Sequence, residues 1–69
     1  LDDSEARARF GLTARELEVA RLVAQGLTNK QLAERLGVSF YTARNHVGRL
    51  LPKMRASGRA EVDAALRAG

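Results

Sequence analysis

The sequence contains no cysteine and a single histidine. Disulfides and thiolate metal sites are therefore excluded, and one imidazole cannot hold a metal ion by itself. No apolar run approaches the ~18 residues that span a bilayer, and no signal-peptide pattern is present, so a cytoplasmic protein is expected. β-Branched residues are few beside alanine and leucine, which favours an all-α fold. Paired catalytic groups, a phosphate-binding glycine loop and a serine-hydrolase signature are also missing. The expectation is a chain with no catalytic residue, cofactor or small-molecule ligand, and no membrane partner. At 69 residues it is one small domain, near the lower limit for folding without a staple.

Acidic residues are absent from one long stretch. Between Ser39 and Arg59 there is no Asp or Glu, while Arg44, Arg49, Lys53, Arg55 and Arg59 all fall there. The net charge of +4 is thus unevenly spread. A basic run alone is as consistent with a solvated face as with a nucleic-acid partner; the frame beneath it decides.

That frame is helical and strongly punctuated. Residues 1–11 carry acidic then basic side chains and read as a linker, an N-terminal extension or a short preceding helix. The first firm helix opens at Thr13, where Thr13 and Glu16 form a capping box and Leu12 with Leu17 a hydrophobic staple. It should run to about Gln25, bury Val19, Leu22 and Val23, and stop at Gly26. The same device recurs with Thr28 and Gln31, and Leu27 and Leu32, for a helix that ends near Leu36 at Gly37. Ala33 is small where two helices would cross, Val38 is expected as a buried apolar residue in the turn, and Ser39 caps the next helix. Residues 28–51 therefore read as a helix-turn-helix. Steps of about 100° put Ala43, Val47 and Leu50 on one face of its second helix, and Tyr41, Asn45, Gly48 and Arg49 on the other, flanked by Thr42 and Arg44. A cationic helix without acidic residues suits the major groove of DNA.

Pro52 is the chain's one proline. Its ring would meet the carbonyl of Gly48, so a kink, or an end near Leu51, is expected. A last helix, from about Arg59 to Ala68, has Val62, Ala65 and Leu66 on one side and must dock on the core, pair with a second copy, or both.

The segments LTARELEVARLVAQGLTNKQLAERLGVS, TARNHV and LLPKMRASGRAEV resemble the LuxR/NarL-type (GerE-like) DNA-binding domain of bacterial transcription regulators, over residues 12–66. The resemblance implies a four-helix helix-turn-helix domain at 12–69, with its third helix reading DNA and its fourth joining two copies. It implies double-stranded DNA as partner, bound by a homodimer on an inverted repeat, with RNA polymerase a further candidate. Relatives are output halves of response regulators or ligand-sensing regulators. The chain opens on Leu1 rather than Met, so a sensory domain is expected elsewhere. Carried over by position, Arg44 and Asn45 are expected at base edges, with Tyr41 beside them. Lys30, Thr28, Asn29, Ser39, Thr42, Arg49, His46 and Lys53 are expected near phosphates. Arg59, Val62, Asp63 and Leu66 are expected at the dimer contact. Ala43, Phe40, Tyr41, Gly48 and Pro52 depart from the family pattern, and Gly48 removes a side chain that often reaches DNA.

Each residue also has a plainer reading. Arg44 could meet a phosphate, Asn45 could face solvent, His46 could bond within the fold, and Val62 and Leu66 could dock on the first firm helix. For Phe40, closing the core edge is favoured over touching a thymine methyl or a sugar. Two rivals remain for the whole chain. A sigma-factor region-four-like domain has a similar helix-turn-helix but usually lacks the alanine-rich last helix. A protein-interaction module would use the basic helix on an acidic partner.

Overall fold

Hydroxyl caps and glycine stops divide the chain into helices at the expected places. Residues 1–67 are described by the computed structural model, and all regular elements among them are α-helices. They are α1 (Asp3–Phe10), α2 (Ala14–Ala24), α3 (Asn29–Leu36), α4 (Phe40–Lys53) and α5 (Ala60–Arg67). Thr13 Oγ1 accepts from the Glu16 N–H at 3.1 Å while Glu16 Oε1 accepts from the Thr13 N–H at 2.8 Å. Thr28 and Gln31 repeat the exchange at 3.2 and 2.8 Å. Ser39 Oγ accepts from the Thr42 N–H at 3.1 Å and starts α4. Each cap satisfies an N–H that the helix leaves unpaired and contributes about 1 kcal/mol. Gly37 closes α3 in the left-handed region at φ 69°, a conformation that penalises any side chain with a Cβ.

Four of these helices match the expected ones, and a fifth precedes them. Residues 3–10 fold as α1, capped by Asp2, and turn back onto α2. Ala6 is fully buried, Arg21 donates to Asp3 Oδ1 at 2.9 Å and to the Leu1 carbonyl at 3.1 Å, and the Leu1 nitrogen donates to the Leu66 carbonyl. This stretch carries little apolar periodicity, which is why the sequence leaves its state open.

Pro52 does not end α4 at Leu51. The helix continues to Lys53, and the Met54 N–H still donates to the Leu50 carbonyl at 3.1 Å. Proline removes only the bond that would have reached Gly48, whose position is exposed so that water can take the carbonyl instead. The stop falls at Arg55, which adopts φ 53° although it is not glycine, and the Ala56 N–H caps the Leu51 carbonyl at 2.9 Å. The last helix ends the described chain at Arg67, so the expectation for Ala68 lies outside the described residues.

The core is made by α2, against which α1, α3, α4 and α5 all pack. Val19, Leu32, Leu50 and Val62 are its largest fully sealed side chains, and every buried residue among those described is apolar. Burying a side chain of this size stabilises the fold by roughly 1.5–3 kcal/mol. Ala43 is fully buried where α4 lies close to its neighbours, and Val47 and Leu50 follow on the same face. The inward face of α4 is thereby fixed, and so is the outward one. Val38, expected to be buried in the turn, is only half-buried.

Candidate nucleic-acid interface

Helices α3 and α4, joined by Gly37-Val38-Ser39, present the basic surface. Because Ala43, Val47 and Leu50 are held in the core, Tyr41, Arg44, Asn45, Gly48 and Arg49 are all exposed on the opposite side of α4. From Tyr41 to Gly48 the helix rises about 10 Å, close to the width of a major groove at about 12 Å. Tyr41 is 65% exposed, and the Arg44 guanidinium lies over its ring at 5.6 Å. Such a cation–π contact is worth about 0.5–1 kcal/mol at an exposed site and narrows the conformations open to Arg44. Lys30, in the first turn of α3, is exposed on the adjacent helix.

Phe40 is not part of the core edge. It is 54% exposed at the first position of α4, beside Tyr41. Spacing sets Phe40 on the Ala43–Val47 side of the helix, three residues before Ala43 and seven before Val47, but the buried part of that face begins only at Ala43, and the first residue of α4 extends past its end.

Several other candidate side chains are already engaged inside the fold. Lys53 Nζ lies 2.8 Å from Glu16 Oε1 and 3.5 Å from the Gly11 carbonyl, so its charge is balanced by α2. That ammonium, and then the Thr13 N–H, hold the Glu16 carboxyl below its ordinary range. Ser39 Oγ and Thr42 Oγ1 are bonded to each other at 3.0 Å at the start of α4. Thr28 Oγ1 serves the capping box, and Asn29 Oδ1 accepts from Arg59. His46 is half-buried and lines a recess with Thr13, Arg15, Glu16, Val19 and Arg49.

The residues expected at a dimer contact need the largest correction. Val62 is fully buried and Leu66 is 4% exposed, both turned into the core from α5, which lies against α2. Neither has apolar surface left to offer a second copy. Arg59 is half-buried and donates to the Leu27 carbonyl and to Asn29 Oδ1. Asp63 is half-buried and pairs with Arg67 at 3.1 Å. Periodicity finds the apolar side of α5, but it cannot say whether that side meets the same chain or another. The role of Arg59 leaves no mark in the sequence, since its partners lie 30 and 32 residues away.

Among the described residues no cluster of His, Cys, Asp or Glu is suited to a metal ion, and no helix is long and apolar enough to cross a membrane. The family model described as "Bacterial regulatory proteins, luxR family" matches residues 11–65. The chain belongs to the LuxR family of bacterial regulatory proteins. It is a helix-turn-helix domain of the DNA-binding transcription-regulator type. Among relatives of this LuxR-family domain is the C4-dicarboxylate transport transcriptional regulatory protein DctR of Rhodobacter capsulatus. It is 45% identical over 66 residues, covering 86% of this chain and 34% of that protein. The nitrate/nitrite response regulator protein NarL of Escherichia coli is 44% identical over 50 residues, covering 72% of this chain and 23% of that protein. The DNA-binding transcriptional activator DevR/DosR of Mycobacterium tuberculosis is 46% identical over 44 residues, covering 64% and 20%. The LuxR-family chain thus spans about a third of the length of these curated relatives or less. No solved structure gives a significant match.

Proposed function

We propose that this LuxR-family domain is the sequence-specific DNA-binding output part of a cytoplasmic transcription regulator, and that it acts as a dimer on an inverted repeat. The observation that carries the reading is the exposed face of α4. It holds Tyr41, Arg44, Asn45 and Arg49, has no acidic residue, and is set rigidly by the buried Ala43, Val47 and Leu50. Arg44 supplies two donors suited to a guanine edge and Asn45 a donor–acceptor pair suited to adenine. Lys30 and Arg49, with Thr28, Asn29, Ser39, Thr42 and His46 around them, would fix the register on phosphates. Lys53 has least to give, because Glu16 already holds it.

Size supports two copies. The described domain is 31 Å along its longest axis, while half-site centres one helical turn apart are separated by about 34–36 Å. One copy with one such helix reads one half-site. With Val62 and Leu66 buried, a second copy would meet the outward side of α5, around Ala60, Ala64 and Arg67. A response-regulator or ligand-sensing context, and contact with RNA polymerase, are readings of the longer protein drawn from the relatives' names.

Footprinting on a bound duplex tests the dimer. Two protected half-sites appearing together as protein is raised are expected. A single protected half-site at every concentration would refute dimeric binding while leaving DNA binding intact.

A further inference from the structure

The clasp made by Arg59 joins the start of α5 to the start of α3. Its half-buried guanidinium reaches back from the start of α5 to the turn ahead of α3, donating to the Leu27 carbonyl and to Asn29 Oδ1. A guanidinium has only donors, so the atom that Asn29 turns toward it must be the amide oxygen. Both N–H groups of that amide are left for other partners. The neighbouring side chains are arranged alike. Thr28 Oγ1 is committed as an acceptor to the Gln31 N–H, which leaves its hydroxyl hydrogen, and Lys30 is an exposed ammonium. Three successive side chains thus each keep a donor to offer: the Thr28 hydroxyl, the Asn29 amide N–H groups and the Lys30 ammonium. The matching ligand is a group made solely of acceptors and negatively charged, as a DNA phosphate is.

We propose that Arg59 is a positioning residue for DNA binding, which holds the Asn29 amide with its N–H groups presented to a phosphate. The proposal rests on the reading of α3 and α4 as the DNA face. Without the clasp the amide is free to turn over, and its oxygen would then face the phosphate and repel it. Arg59 itself stays within the fold and touches no DNA.

Duplex affinity and thermal unfolding are measured for the whole chain and for Arg59→Ala, Asn29→Ala, the double variant and Asn29→Asp. Asn29→Ala and Arg59→Ala should each weaken binding about tenfold, the scale of one hydrogen bond to a charged group. The double variant should be no weaker than either. The double-variant cycle is decisive for the clasp; Asn29→Asp supports it, because its carboxylate still accepts from Arg59 and preserves the fold, yet presents no donor outward and adds a negative charge. Asn29→Asp should unfold at or above the wild-type temperature while losing at least tenfold in affinity. Losses that multiply in the double variant, or wild-type affinity in Asn29→Asp, would overturn the proposal. If Arg59→Ala fails to fold, Arg59→Met, which keeps the half-buried stem and removes the donors, takes its place in the cycle. A wild-type chain that binds no duplex would instead remove the DNA reading itself, a result distinct from failure of the clasp.

Discussion

Truncating Arg44 and truncating Lys30 should damage DNA binding in two different ways, and the difference can be sized in advance. Arg44 stands on the exposed face of α4, stacked on Tyr41, where a bidentate contact to guanine is sterically open. Such a contact discriminates by roughly 1–3 kcal/mol, so Arg44→Ala should flatten preference at one base pair per half-site by about 5- to 150-fold. Affinity for duplexes already lacking that base pair should hardly change. Lys30 is an exposed ammonium in the first turn of α3, positioned to meet the backbone rather than a base. Removing one phosphate contact lowers the slope of log affinity against log salt by about 0.9. Between 50 and 200 mM salt the disadvantage of Lys30→Ala should therefore shrink by about 3.5-fold, on every sequence alike. Fluorescence anisotropy on a panel of single-base-pair variants, at both salt concentrations, reads the two effects separately. If the two variants lose the same factor on every duplex with the same salt slope, the division between reading and positioning residues is wrong.

Two further predictions concern the scaffold. Because Lys53 and the Thr13 N–H hold the Glu16 carboxyl below its ordinary value, its contribution to stability is present above the unfolded-state value of 4.5 and is lost as pH falls through the lower folded-state value. Glu16→Gln keeps the capping acceptor but not the ion pair, so the melting-temperature gap between wild type and variant should be open near neutral pH and close in acid; a gap unchanged by pH would refute the pairing. Leu66→Ala should cost about 2–5 kcal/mol, a large share of the roughly 3–10 kcal/mol expected for a chain of this length, and lower the melting temperature equally at all protein concentrations. A loss that appears only at concentrations where copies associate would return Leu66 to a dimer contact.

What could be read from the sequence was whatever depends on near neighbours. Thr13 with Glu16, and Thr28 with Gln31, sit three residues apart, and both capping boxes form. The buried face of α4 also follows from spacing alone, since Ala43, Val47 and Leu50 recur at helical intervals. Phe40 is misread because its type and its spacing from Ala43 and Val47 both suggest burial, while the buried face of α4 begins only at Ala43 and leaves the first residue uncovered. Lys53, Asn29 and Arg59 count as available cations or amides until the fold joins Lys53 to Glu16 across 37 residues and Arg59 to Asn29 across 30. The same limit applies to α5, whose apolar stripe carries no label for its partner. Local rules thus recover the helices and the outward face of α4, while the engagement of individual polar side chains needs the tertiary structure.

The central claim is that the outward face of α4 reads a DNA sequence, and binding-site selection from a random duplex pool at two salt concentrations tests it most directly. Enrichment of an inverted repeat, with half-site centres about one helical turn apart and the same bases chosen at both salts, is the predicted result. Salt-sensitive retention of DNA with no sequence enriched would contradict it, and would reduce the basic helix to a phosphate-binding surface.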